Sequence, residues 1–150
     1  MRKDVYFFDS TALVHFAGAL YGCFLVESFD SKYLIPGENN VFVTDSEAIE
    51  EISKMEADGK NGIYRGYATF IANNFKVISR EKTVQALRTE NAIKKYHNGF
   101  VIIFEQEKFA GTFGALLHMY TVENIDPILV TLEPEVARVA KELGFEIHKI

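Results

Sequence analysis

The sequence predicts an α/β protein of three layers, α/β/α, built around a mainly parallel central sheet. Three observations lead there. Val5-Tyr6-Phe7-Phe8 is an unbroken apolar, β-favouring run that stops at Asp9, as a buried central strand does and a half-exposed one does not. Short runs of the same kind recur at 41–43, 75–78, 100–104, 128–131 and 145–150. Helix-forming segments separate them, and strands that alternate with helices pair in parallel through right-handed crossovers. In such sheets ligands occupy the crevice outside the carboxyl ends of the strands, so Asp9 stands where chemistry is expected. The other reading of Asp9 is a cap, accepting from the amide of Thr11 or Ala12.

Taken in order, the first strand gives way at Asp9-Ser10-Thr11 to a helical region over 12–28, apolar but containing His15, small residues and Gly22. Pro36-Gly37 and Asn39-Asn40 mark 29–40 as a loop. After the second strand, Thr44 or Asp45 caps a helix, and Glu47, three residues past Thr44, offers a capping box. That helix runs through 48–55 with Ala48, Ile52 and Met55 on one face. A helix over 63–73 follows, with Ile63, Tyr67, Phe70 and Ile71 on one side as core. Asn74 turns the chain into strand 75–78, and Ser79 caps a basic helix over 81–96. Strand 100–104 leads to a long helix over 109–122. Asp126-Pro127 introduces strand 128–131. Pro134 and Gly144 are start and stop signals for the helix between them, and 145–150 is the last strand.

The chain has 150 residues, 48% hydrophobic and 25% charged, enough for one globular domain with a proper core. No apolar run approaches the roughly 18 residues that would span a bilayer, so no membrane partner is expected. The start, Met1-Arg2-Lys3-Asp4-Val5, passes directly into the strand without the pattern of a signal peptide. The single Cys23 excludes an internal disulfide and fits a reducing, cytoplasmic setting.

The net charge of -5 disfavours indiscriminate coating of nucleic acid, but the charge is unevenly placed. Between Gly22 and Asp58 nine acids face only Lys32 and Lys54, whereas Lys76, Arg80, Lys82, Arg88, Lys94 and Lys95 outnumber Glu81 and Glu90. One acidic and one basic region suit an enzyme that grips a polyanion beside a metal. Solvated helix faces are the plainer explanation.

Hydrolysis of a phosphodiester at neutral pH calls for a divalent metal, which prefers carboxylate oxygens. Asp9, at a strand end, is the first candidate ligand. Glu51 is the second, adjacent on the helical wheel to Ala48, Ile52 and Met55 and so placed along the buried seam. Glu133 is the third, two residues beyond Thr131 at the end of a late strand. A solvated helix acid and a favourable charge at a helix N-terminus are the respective alternatives. The histidines His15, His97, His118 and His148 lack the spacing of a zinc site. Gly111-Thr112-Phe113-Gly114 is better explained by close helix packing than as a ligand loop.

Asp9-Ser10-Thr11-Ala12-Leu13 resembles the opening of the PIN-domain family, whose first strand ends in an Asp followed by Ser or Thr and a small-hydrophobic pair. Glu51-Ile52 matches the family's metal-site Glu followed by Ile or Leu. Thr131-Leu132-Glu133 resembles its late strand ending in Thr and followed by an acid, here Glu where Asp is commoner. The resemblance implies a Mg²⁺- or Mn²⁺-dependent ribonuclease, with Asp9, Glu51 and Glu133 as metal-site acids and RNA as substrate. Arg80, Lys82, Arg88, Lys94 and Lys95 would hold the RNA backbone. Many members are toxins, so an antitoxin-like protein and a homodimer are the partners it suggests. One position departs: the family opens the preceding helix with Asp-Ala, and counting back from Thr131 the counterpart is Gly114-Ala115. That departure points to the alternative, a catalytically weak or inactive PIN-like domain acting as an RNA- or protein-binding module. A third reading, a phosphatase of the haloacid dehalogenase type, shares the strand-end Asp but has Thr11 where a second Asp belongs.

Overall fold

The computed structural model describes residues 4–17, 40–58, 65–88 and 109–148. Five parallel strands form one sheet, ordered β3-β2-β1-β4-β5. They are β1 (Asp4–Phe8), β2 (Asn40–Asp45), β3 (Lys76–Ile78), β4 (Ile128–Val130) and β5 (Glu146–Ile147). The helices are α1 (Ser10–His15), α2 (Ser46–Ala57), α3 (Tyr67–Asn74), α4 (Arg80–Arg88), α5 (Ala110–Leu117) and α6 (Pro134–Glu142). A π-helical turn, His118–Val122, extends α5. The expected strand at 100–104, the later part of the first helix, Cys23, His97, Lys94 and Lys95 all lie outside the described residues.

The apolar run of β1 makes it the central strand, because residues on both of its faces need cover. Phe7 joins Val43, Ile78, Phe113, Leu116 and Val136 on one side, among residues of α4, α5 and α6. Tyr6 and Phe8 join Phe42, Leu13, Ile52, Tyr67 and Phe75 on the other, among α1, α2 and α3. The alternation of strand side chains thus builds two cores, and the fold is the expected three-layer α/β/α sandwich.

Local chemistry explains where several elements differ from the expected bounds. The first helix starts at Ser10 because Asp9 is its N-cap, its Oδ1 accepting from the Ala12 amide at 2.9 Å. The Thr44–Glu47 capping box does not form. Thr44 belongs to β2, and its hydroxyl donates to the Phe8 carbonyl at 2.8 Å, tying β2 to β1. Met55 is 38% exposed, not buried with Ala48 and Ile52, because it opens onto a groove lined also by Val14, His15 and Leu132. Pro134 opens α6, and Gly144, at φ +91°, ends it in a conformation that L side chains rarely adopt.

Gly114 serves packing. A Cβ there would stand 2.6 Å from the Thr83 carbonyl oxygen and 2.8 Å from Thr83 Cβ, so α5 meets α4 backbone to backbone. Placing an acid there with Gly114→Asp would therefore wedge the helices apart and give nothing to the sheet's carboxyl edge. Gly114→Ala alone is expected to destabilise by about 1–3 kcal/mol, read as a lower urea midpoint. An unchanged midpoint would contradict the tight α4–α5 contact.

Candidate functional site

The carboxyl ends of β1, β2 and β4 lie at one edge of the sheet. The chain runs from β1 outward through β2 and β3, then returns to β4 on the other side of β1. Such a reversal opens a crevice at the strand ends. A cavity of about 200 Å³ sits there, and its lining includes Asp9, Asp45, Glu47, Glu51 and Glu133 together with Gly111 and Thr112. The three acids read from the sequence therefore reach one cavity from three elements, and two more join them.

Asp9 is 4% exposed and the most firmly held. Oδ1 accepts from the Ala12 amide and from the Thr11 hydroxyl at 2.6 Å, and Oδ2 accepts from the Thr131 hydroxyl. Those hydroxyls are themselves fixed: Thr11 Oγ1 accepts from the Leu132 amide at 3.0 Å and Thr131 Oγ1 from the Glu133 amide at 3.1 Å. The start of α1 and the loop after β4 are thus tied together through one carboxylate. Burial pushes the Asp9 carboxyl above its ordinary pKa, the three hydrogen bonds pull it back, and Glu133 pushes it further up.

Asp45 ends β2 and is 3% exposed. It stands at the N-cap position of α2, yet its side chain closes no capping hydrogen bond. Burial first, and then the neighbouring Glu47 charge, raise its pKa to about 6, with the amides of Ala48 and Glu47 partly opposing. Glu47 Oε1 lies 3.8 Å from Arg80 Nε, while Oε2 turns toward Gly111. Glu51 is exposed at the rim, one turn along α2, rather than in the buried seam where the wheel put it. Glu133 is half-buried and precedes α6 without capping it by its side chain.

Asp45 and Glu47 were legible only as helix-start residues. A signal was present: Val41-Phe42-Val43-Thr44-Asp45-Ser46 repeats the plan of Val5-Tyr6-Phe7-Phe8-Asp9-Ser10. The strands pair with Val5 beside Val41 and Phe7 beside Val43, so the register carries Asp9 and Asp45 to the same level.

This set of groups suits a hard divalent cation. Like charges around a partly buried cavity repel, and among the described residues the one base found to reach them is Arg80, on Glu47. Oxygen ligands in a roomy, partly open cavity are what Mg²⁺ and Mn²⁺ accept, with water completing the shell. Among the described residues no three acids or histidines are gathered closely enough to hold an ion by themselves; the acids stand around the wall. Of the basic residues read as RNA contacts, Arg80 and Lys82 are exposed at the start of α4. The side chain of Arg88, with Lys94 and Lys95, lies outside the described residues. No helix among the described residues is long and apolar enough to cross a membrane. No family model matches the chain, and no curated protein shows significant similarity to it.

Proposed function

We propose that the chain is a PIN-like ribonuclease that hydrolyses RNA phosphodiester bonds with Mg²⁺ or Mn²⁺. The observation that carries this reading is the lining of one strand-end cavity by Asp9, Glu51 and Glu133 from three separate elements. Asp9, Glu51 and Glu133 would hold the metal, directly or through water. When bound, the metal supplies an activated water and a counter-charge for the phosphate. The chain's own contribution is positional. Thr11, Thr131 and the Ala12 amide fix the Asp9 carboxylate before any ligand arrives, so little ordering remains to be done on binding. Arg80 and Lys82, with Arg88, Lys94 and Lys95, would hold RNA phosphates beside the cavity. A cytoplasmic location accords with the lone Cys23. An antitoxin-like protein or a second copy would be a further partner.

A second reading has a specific observation behind it. Helix α5 brings only Gly111 and Thr112 to the cavity, and no ready-made cage exists among the described residues. On that reading the chain is a PIN-like domain that binds RNA or protein without cutting.

A fluorogenic single-stranded RNA incubated with the purified chain separates the two. Cleavage is expected with Mn²⁺ or Mg²⁺, is expected to stop with excess EDTA, and is expected to return when Mn²⁺ is added beyond the chelator. Retention of labelled RNA with no metal-dependent cleavage would establish the binding module instead.

A further inference from the structure

We infer that Asp45 and Glu47, packed against the side-chain-less Gly111, form the divalent-cation position that helix α5 does not supply, with Gly111 a necessary part of it. The inference deepens the nuclease proposal and rests on it for the purpose of the ion.

The geometry at Gly111 is the starting point. A Cβ built there would lie 2.6 Å from Glu47 Oε2 and 2.8 Å from Asp45 Oδ2. Two carboxylate oxygens from different residues therefore crowd one small volume, into which any side chain at 111 would intrude. Carboxylates are acceptors only, so a close pair is unfavourable unless a proton or a cation lies between them. The backbone amides of Ala48 and Glu47 relieve it only in part. Asp45 is 3% exposed and its carboxylate closes no capping hydrogen bond. Arg80 meets Glu47 on Oε1, the oxygen turned away from this volume, and does so at 3.8 Å with a largely exposed side chain.

The place of this pair in the fold supplies the rest. Gly111 lies in the first turn of α5 and, with Thr112, is what that helix presents to the cavity. Asp45 and Glu47 approach it from the end of β2 and the first turn of α2. They fill, from the opposite wall, the room that a carboxylate on α5 would need. The same cavity holds Asp9, level with Asp45 in the sheet register. A cation beside Gly111 would thus have two converging anionic oxygens, a third acid nearby and open space for water.

The test is a titration of the purified chain with MnCl₂ alone, free Mn²⁺ being followed by its electron paramagnetic resonance signal. Wild type is compared with Asp45→Asn, Gly111→Ala and Glu50→Gln, the last removing an exposed acid of α2 outside the cavity. Asp45→Asn and Gly111→Ala are expected to weaken Mn²⁺ binding by about tenfold or more, with Glu50→Gln like wild type. Alanine favours a helix over glycine, so an unchanged helical circular dichroism spectrum for Gly111→Ala ties its loss to the cavity. Mn²⁺ affinities of both variants equal to wild type would overturn the inference. Loss of binding in Asp9→Asn but not in Asp45→Asn would overturn it while leaving the nuclease standing. Binding that depends on Asp45 and Gly111 in a chain that never cuts RNA would uphold it and overturn the nuclease.

Discussion

Asp9→Asn is expected to lower metal-dependent RNA cleavage by at least about a hundredfold, since even partners of metal ligands are worth about 10–100-fold. The substitution removes one negative charge from the most firmly oriented carboxylate in the cavity and little else. Asn keeps an oxygen that can accept from Ala12 and Thr11, and the Thr131 hydroxyl can turn from donating to accepting. The fold should therefore persist. Because burial raises the Asp9 carboxyl above its ordinary pKa, losing its charge relieves a cost of folding. Initial rates at saturating Mn²⁺, with circular dichroism alongside, check both halves. Cleavage at the wild-type rate would remove Asp9 from the chemistry.

Asp45→Asn is expected to stabilise the metal-free chain at pH 8, by up to about 3 kcal/mol. That magnitude follows from a shift from 3.8 to about 6, at 1.36 kcal/mol per pKa unit as an order of magnitude. The sign follows from proton linkage. Between about pH 4 and 6 the folded state holds a proton on Asp45 that the unfolded state has released. Stability contributed by this group is therefore full below the unfolded value and is lost as the pH rises through the folded one. Asp9, also raised, acts in the same sense. The gain from Asp45→Asn should be large at pH 8 and small at pH 4.5, where the wild-type carboxyl is already protonated. Urea midpoints at the two pH values measure it. A gain of equal size at both, or a loss at pH 8, would show that the buried carboxylate is not the source of strain. Added Mn²⁺ should reverse the order at neutral pH, stabilising wild type through mass action more than the variant.

The fold was readable because its strands announce themselves as apolar runs that stop abruptly. Val5–Phe8, 41–43 and 128–130 are short, continuous and bounded by polar residues, and the helices between them leave parallel pairing as the consistent arrangement. Asp9, directly after such a strand, and Glu133, shortly after another and two residues past Thr131, were readable for the same reason. Asp45 was not, because residue type is ambiguous there: Asp at a helix start is a favoured cap. Only the pairing of Val5 with Val41 and of Phe7 with Val43 brings it level with Asp9. Glu51 was read from the wheel as a seam residue, yet the wheel carries no information about where a helix leaves its neighbours. Glu47, one turn earlier, is the acid of α2 that turns toward Gly111.

The two glycines of α5 make the limit of counting along a sequence concrete. Counting back from Thr131 puts the counterpart of the acid in the family that the sequence resembles at Gly114. Three residues advance a helix by most of a turn and turn the side chain away from its former heading. Gly114 consequently meets Thr83 of α4, while Gly111 meets Asp45 and Glu47. The sequence carries both as small residues suited to close packing. One is small so that helices can touch, the other so that carboxylates can.

The most direct measurement is an anomalous difference map from crystals of the chain soaked in MnCl₂. The expected result is a peak in the strand-end cavity, about 2 Å from carboxylate oxygens, with Asp45, Glu47 and Asp9 around it. A map with Mn²⁺ bound elsewhere on the surface, and this cavity holding none, would contradict the idea that these acids exist to bind a metal ion.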